Sequence, residues 1–334
     1  MNLSELAAHL NLSVTTVSRV LAGSPEKYRI SEATTKRVVE AAQKYHAAPN
    51  PLGLGLRKGQ TGMIGLLVPD ITNPFFAQLA REIERELRKS DKAVLLFDSG
   101  EDVKIERKLL RDMISRRLDG FILAPVGVDT EELRFAVKNE NLPVVLMDRL
   151  ISGVDCTSVS LDNFDAGYKA AHYLIQKGHQ RIGCLRGDSR TAVDADRYNG
   201  VVAAICEAGL NVDESIVAGK GYSLVDGVEA SRRILSNVNK PSGVITLNGQ
   251  GIIALMNVLH DYGVSVPEEI SIVAFDDQPW SKFSSPAITT IAQPIGKMAR
   301  MAVEIIGSRE KESKIFKAEL IERASVAEVD VEYT

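Results

Sequence analysis

The chain has 334 residues, 45% apolar, 25% charged and 5% aromatic, with a formal net charge of −4. This is globular composition, enough for two or three domains, and it excludes collagen-like and disordered classes. No segment carries the ~18 uninterrupted apolar residues of a membrane span.

Met1–Leu10 lacks the basic stretch and long apolar core of a secretory signal. The three cysteines, Cys156, Cys184 and Cys206, are odd in number and widely spaced, so a reducing, cytoplasmic setting is expected. Cys184 and Cys206 read as small core residues. The charge is uneven. Residues 1–60 hold eight basic side chains against four acidic ones, leaving 32 basic and 40 acidic for the remainder. A head of +4 on a body of −8 points to a polyanionic partner for the head alone.

Asn2 with Glu5 predicts a capping box ahead of a helix from Leu3 to about Leu10, with Leu3, Leu6, Ala7 and Leu10 inward. Asn11 suits a turn that needs positive φ. Ser13 can cap a second helix, Val14–Leu21, with Val14, Val17, Val20 and Leu21 inward. Two helices so joined suggest a helix-turn-helix. Ser31 starts a third helix, to about Tyr45, with Ala33, Val38, Ala41 and Ala42 available for packing. Two prolines and three glycines between Pro49 and Gly59 mark the most evident boundary.

Beyond it, apolar runs alternate with helices. Buried strands are expected at Met63–Val68, Val94–Phe97, Phe121–Ala124, Val144–Met147, Ile182–Leu185, Val244–Thr246 and Ser271–Ala274. Helices are expected at Phe75–Lys89, Lys104–Arg116, Ala166–Gln176, Asp194–Ala208 and Ile252–Tyr262, among others. The rhythm implies parallel sheets covered on both sides, and roughly 275 residues require two lobes.

On the second helix, Thr15 and Arg19 share a face opposite Val17 and Val20, with Val14 and Ser18 at its margins. A guanidinium with small hydroxyls suits the major groove, where Arg pairs with guanine and Val14 can touch a thymine methyl. A small bundle with solvated polar residues is the alternative.

Several stretches carry a resemblance. Val14-Thr-Thr-Val-Ser-Arg-Val-Leu21 and Ser31-Glu-Ala-Thr-Thr-Lys-Arg-Val38 are followed by Pro49-Asn50 and Ile64-Gly-Leu-Leu-Val-Pro-Asp-Ile-Thr-Asn-Pro-Phe-Phe76. Then come Arg117-Leu-Asp-Gly-Phe-Ile-Leu123, Gly178-His-Gln-Arg-Ile-Gly183, Phe275-Asp-Asp277 and Pro286-Ala-Ile-Thr-Thr-Ile291. Nearly end to end, the chain resembles LacI/GalR-family transcriptional regulators. The resemblance implies an all-α helix-turn-helix headpiece (1–48), a hinge (49–60) and an α/β, periplasmic-binding-protein-like effector domain (61–334) of two doubly wound lobes. The N-lobe would span about 61–160 and 293–320, the C-lobe about 161–292 and 321–334.

Such regulators act as homodimers, or dimers of dimers, on near-palindromic operator DNA. By resemblance, Val14, Thr15 and Arg19 read bases, and Ser13, Thr16 and Ser18 contact phosphates. Asn50 joins the DNA-contacting set, and Leu56 falls at the leucine that wedges into the minor groove. Gly53 and Gly55 each cost about 1 kcal/mol of helix propensity, so the hinge should order less readily. His46 and Ala47 replace a usual glycine and tyrosine. The loop Ser24–Ile30 is slightly extended, adding Lys27, Tyr28 and Arg29 as backbone contacts. The dimer face is expected to involve Phe76–Ile83.

In the cleft, Asn73, Phe75, Asp148, Arg149, Arg197, Tyr222, Asn248, Asp276 and Gln293 resemble a pentose/hexose-binding constellation. Carboxylates accept hydroxyl protons, Arg and the amides bridge vicinal oxygens, and aromatic rings pack on a sugar face. For Asp148 with Arg149 the alternative is a surface pair; for Asn248 it is a helix cap. Gly249, where an Asp is usual, should loosen the next helix start. Trp280 either lines the cleft mouth or anchors a lobe. Thr191 lies where the family's purine-binding branch has an arginine, which weighs against a nucleobase.

No cofactor is implied. Gly183-Cys-Leu-Arg-Gly-Asp188 is not a dinucleotide fingerprint, and no Walker lysine pattern or catalytic triad signature is present. The five histidines are scattered, so neither an enzyme nor a metal site is expected. The expected function is a sugar-responsive DNA-binding regulator, foremost a repressor. The alternatives are an activator of the same family, a solute-binding protein and a sugar-modifying enzyme.

Overall fold

The computed structural model describes residues 1–23, 25–47, 61–126, 131–139, 142–151, 154, 156–308 and 311–329. Packing divides the chain into two units, Met1–Met63 with Arg117–Asp119, and Ile64–Arg116 with Gly120–Thr334.

The first unit opens with α1 (Leu3–Leu10), α2 (Val14–Leu21) and α3 (Glu32–Lys44), with a 3-10 turn at Glu26–Tyr28. The capping box is present: Asn2 Oδ1 accepts from Glu5 N at 2.9 Å, and Asn2 N donates to Glu5 Oε2 at 3.0 Å. Asn11 is left-handed at φ 51°, which lets α1 turn into α2 within a few residues. Ser13 and Ser31 cap α2 and α3 by accepting from Thr16 N and Thr34 N. Leu6, Ala7, Val17, Val20, Val38, Ala42 and Ala47 form the core. Two inward assignments are corrected. Val14, the first residue of α2, is 45% exposed, and Ala33 is exposed in the first turn of α3. His46, at φ 50°, takes the left-handed position after α3 that suits glycine best.

The second unit holds two sheets. In the first, β1 (Met63–Val68), β2 (Ala93–Asp98), β3 (Gly120–Leu123), β4 (Val144–Met147), β5 (Thr157–Leu161) and β11 (Lys314–Phe316) lie in the order β11-β5-β4-β3-β1-β2. In the second, β6 (Ile182–Leu185), β7 (Val217–Ala218), β8 (Gly243–Thr246), β9 (Ser271–Phe275), β10 (Thr289–Ala292) and β12 (Glu319–Ile321) lie in the order β12-β10-β9-β8-β6-β7. Neighbours from β11 to β1, and from β10 to β7, pair in parallel; β12 is antiparallel to β10. The helices are α4 (Pro74–Arg88), α5 (Val103–Ser115), α6 (Glu131–Asn139), α7 (Asn163–Gln176), α8 (Ala192–Glu207), α9 (Leu224–Leu235), α10 (Gly249–Tyr262) and α11 (Ile295–Ser308).

The chain passes between the sheets three times, at 161–163, 292–295 and 316–319. The last passage comes before Glu319, so residues 319 and 320 belong with the second sheet rather than the first. The expected buried strand at Val94–Phe97 is corrected: β2 is an edge strand with largely uncovered side chains, Leu96 among them. Leu79 and Ile83 are fully buried and Phe76 nearly so, in the first lobe's own core with α11. Of that segment, Ala77 and Arg81 are exposed and Gln78, Ala80 and Glu82 are half-buried. Cys184 is core, but Cys206 is exposed, because it lies on the outer side of α8 near its end. Among the described residues no helix is long and apolar enough to cross a membrane.

One packing feature positions the site. α7 and α8 cross through glycines. A Cβ on Gly167 would lie 1.9 Å from Arg197 O, and one on Gly200 2.0 Å from Phe164 O. This close approach brings Asn163, at the start of α7, within reach of Arg197 on α8. Gly200→Ala should therefore force the helices apart and cost about 1–3 kcal/mol, as overpacked cores do. Urea unfolding checks this; a loss below about 0.5 kcal/mol would contradict the crossing as described.

Candidate functional site

Two surfaces carry chemistry, one in each unit. On the first unit, Thr15 and Arg19 are exposed, and Val17 and Val20 fix the opposite side of α2 in the core. Ser13 Oγ lies 2.8 Å from Thr16 Oγ1 at the start of α2, where free backbone N–H groups and the helix dipole favour an anion. The Arg19 guanidinium carbon stands 3.9 Å from the centre of the Tyr28 ring. Tyr28 was read from sequence only as a backbone contact; here its ring supports the arginine from the loop side. Asn50 and Leu56 lie outside the described residues.

In the second unit, polar groups gather at the carboxyl ends of the strands of both lobes, where open α/β sheets bind ligands. Asp148 follows β4 and Asp276 follows β9, equivalent places in the two sheets. Both are left-handed, at φ 64° and 69°, a conformation that Asp tolerates better than most residues. Both are buried, at 5% and 7% exposure. Burial pushes each carboxyl above its usual range, against the pull of Arg197 on both and of Arg149 on Asp148.

Arg197 is held from three directions. Its Nε donates to Asn163 Oδ1 at 2.8 Å, one NH2 group donates to Leu247 O at 2.7 Å, and the guanidinium carbon lies 4.4 Å from the centre of the Phe275 ring. Arg149 is tied elsewhere. It makes a two-pronged pair with Glu101, at 2.8 and 2.6 Å, and its guanidinium carbon lies 4.9 Å from the Tyr222 ring of the other lobe and 5.8 Å from the Phe76 ring. Burial alone would lower the pKa of Arg149, but hydrogen bonding and charge from Glu101 outweigh it and raise it. Asp148 and Arg149 are thus buried, not a surface pair.

Gln293 sits in the second passage between lobes. Its Nε2 donates to Asp276 Oδ1 at 2.8 Å, which fixes the amide and leaves Oε1 buried with no protein donor. Asp148 Oδ1 is in the same condition. Tyr222 lies against Gly187, where a Cβ would meet its Cε1 at 2.2 Å, and its hydroxyl is 2.6 Å from Thr191 Oγ1. Burial pushes the Tyr222 phenol up to about 12.

Asn248 accepts from Gln250 N and Gly251 N, so its side-chain oxygen caps α10. The helix starts firmly at Gly249, contrary to the expected loosening. A side chain there would meet Gln278 Nε2 at 2.5 Å and Asp276 Oδ2 at 2.9 Å. Asn73 likewise caps α4, accepting from Phe75 N at 3.1 Å, and buried Phe75 packs edge-on against Phe76. Trp280 packs on the second lobe's core and donates to Gln278 Oε1 at 2.6 Å; it anchors the lobe.

The structure therefore joins Asp148, Arg149, Arg197, Tyr222, Asp276 and Gln293 directly, with Asn248 beside them through Leu247. Asn73 and Phe75 connect through Phe76. Sequence reading missed Glu101, Asn163 and Gln278. Glu101 follows β2 and Asn163 opens α7 just after β5, so the strand-end rule could have found both. Gln278, three residues past β9 as Glu101 is past β2, falls under the same rule, but its fit against Gly249 gave no signal. No group of three potential metal ligands occurs among the described residues.

Comparison with known proteins accords with this geometry. A family model for bacterial regulatory proteins of the lacI family matches residues 2–50. Another, for periplasmic binding proteins and the sugar binding domain of the LacI family, matches residues 61–318. The HTH-type transcriptional repressor PurR of Photobacterium profundum is 29% identical over 98% of this chain and 99% of its own length. The HTH-type transcriptional regulator DegA of Bacillus subtilis is 30% identical over 88% of this chain and 87% of its own. A LacI family regulator from Enterococcus faecium, solved with bound ribose, is 29% identical, with a TM-score of 0.73 over 80% of this chain and 100% of that one. The regulator CelR in complex with cellobiose is 25% identical, with a TM-score of 0.71 over 97% of this chain and 99% of that one. The chain belongs to the LacI family of DNA-binding transcriptional regulators, with a helix-turn-helix domain followed by a two-lobed effector-binding domain.

Proposed function

We propose that the protein is a cytoplasmic repressor that binds a near-palindromic operator as a homodimer and responds to a sugar or sugar derivative held between the lobes. One observation carries the effector reading. Two buried acceptors, Asp148 Oδ1 and Gln293 Oε1, come from opposite parts of the cleft and lack protein donors. Leaving such groups unmet costs about 1–3 kcal/mol each, and a polyol supplies the hydroxyl donors. The ribose and cellobiose complexes of related regulators support this class of ligand. Ligand contacts that differ between lobe arrangements would then shift the DNA-binding equilibrium.

For the head, Ser13, Thr16 and Ser18 are assigned to phosphates, and Val14, Thr15 and Arg19 to base edges. Asn50 and Leu56 are carried as hinge contacts on family resemblance alone. The stack on Tyr28, worth about 0.5–1 kcal/mol in exposed positions, limits where the Arg19 fork can point.

Selection of genomic fragments with and without candidate sugars tests the function. A recurring two-fold motif whose retention changes with one sugar is expected; no selected fragment under any salt or sugar condition would contradict it. Arg19→Ala should lose about 1–3 kcal/mol of discrimination at one position per half-site, and Tyr28→Ala a smaller part at the same position. An unchanged binding motif for Arg19→Ala would remove Arg19 from base reading.

The buried aspartates give a pH signature. A carboxyl whose pKa is raised on folding binds its proton more tightly in the native state, so its stabilising effect is full at low pH and is lost as pH rises through the folded value. Asp148→Asn keeps the shape and suits φ 64°. Its stability relative to wild type should rise with pH from about 4 upward and then level off, as read from urea midpoints. A difference that does not change with pH would contradict the raised value.

A further inference from the structure

The cleft holds two guanidinium groups, and both are already engaged. Arg149 spends its fork on Glu101, which stands in the loop after β2, and it is only 9% exposed in that pair. Arg197 is fixed by Asn163 and Leu247 O and faces the carboxyls of Asp148 and Asp276. Two nearby arginines are also committed: Arg186 to Asp194, and Arg190 to Asp188 in a pair that includes its Nε. Glu101, Asp148 and Asp276 thus face Arg149 and Arg197, three carboxyls to two cations. The acceptors without donors, Asp148 Oδ1 and Gln293 Oε1, ask for hydrogen-bond donors and repel acceptor oxygens.

A phosphate or carboxylate needs the opposite arrangement, an unpaired cationic fork or a row of N–H donors. Displacing Glu101 from Arg149 to make one would leave a carboxylate, itself only partly exposed, beside the incoming anion. The ring of Tyr222 against the Arg149 guanidinium closes the remaining approach from the other lobe.

We infer that Glu101 sets the charge selectivity of the cleft by occupying Arg149, so that a neutral polyol is accepted and its phosphate ester refused. This rests on the reading of the cleft as a polyol effector site. It adds a specificity determinant that touches no ligand itself: Glu101 is a positioning and neutralising residue. Its carboxylate turns a cationic fork into a neutral wall.

Thermal unfolding of the full chain tests it, with D-ribose, D-glucose, their phosphate esters and inorganic phosphate as probes, at ionic strength matched with chloride. The wild type should gain no more from inorganic phosphate or the esters than the Glu101→Gln, Arg149→Gln double variant does, which sets the contribution of the basic head. Glu101→Gln keeps the shape, and Glu101→Gly suits the left-handed φ of 57° at this position; both should gain a phosphate-dependent rise of about 2 °C or more over the double variant. Wild type stabilised by phosphate or an ester beyond the double variant, or both folded single variants no more responsive to phosphate than the double variant, would overturn the inference. If the phosphate arms behave as stated while no neutral sugar stabilises the wild type, the polyol reading of the cleft fails and the role of Glu101 stands. If an ester stabilises the wild type beyond the double variant, the inference fails and the polyol reading survives.

Discussion

The guanidinium of Arg197 ties the effector unit together. It reaches α7 through Asn163, the end of β8 through Leu247 O, the β9 end through the Phe275 ring, and the carboxyls of both lobes through charge. A buried cation is costly unless its hydrogen bonds and counter-charges are in place, so the surroundings must be built to fit it. The glycines at 167 and 200 are part of that fit, because they let α7 and α8 touch and so bring Asn163 to Arg197. Gly187 and Gly249 play the same part for Tyr222 and for Gln278 with Asp276. The site is made as much by missing side chains as by those present.

Asp148 and Asp276 show how two lobes of one design meet. Each ends an equivalent strand, each turns left-handed, and each is buried with its pKa raised. Strained, desolvated groups of this kind persist where the surroundings over-determine them, and they collect at ligand sites. They lie on opposite lobes and feel the same arginine, so under the proposed function a ligand that engages both would change the balance between lobe arrangements. Gln293 lies in a passage between the lobes, so a ligand bound to it also touches a place where the chain must bend.

Much of this was legible in the sequence, and the limits were physical. Helix caps are local, so Asn2, Asn11, Ser13 and Ser31 read correctly. Continuous apolar runs gave β1, β4 and β6. β5, β10 and the short β7, β11 and β12 escaped because Ser- and Thr-rich or two- to three-residue strands carry little apolar signal of their own. β2 looked buried because an edge strand can share the apolar composition of a central one. In the cleft, Asp148 and Asp276 stand just after expected strands, whereas Arg197, inside α8, and Gln293, after the unexpected β10, were reached through the family resemblance. Pairing did not follow: Glu101 and Arg149 are 48 residues apart, and nothing local couples them. The neighbour in sequence, Asp148, was the obvious partner and is not the one used.

Under the proposed function, a neutral ligand completes the hydrogen bonding of the buried acceptors while the charged pairs stay intact. A crystal structure of the protein with a stabilising sugar tests it most directly. Sugar hydroxyls are expected at about 2.6–3.0 Å from Asp148 Oδ1 and Gln293 Oε1, with Arg149 still paired to Glu101. A sugar bound elsewhere, or Arg149 released from Glu101 to bind it, would contradict the account.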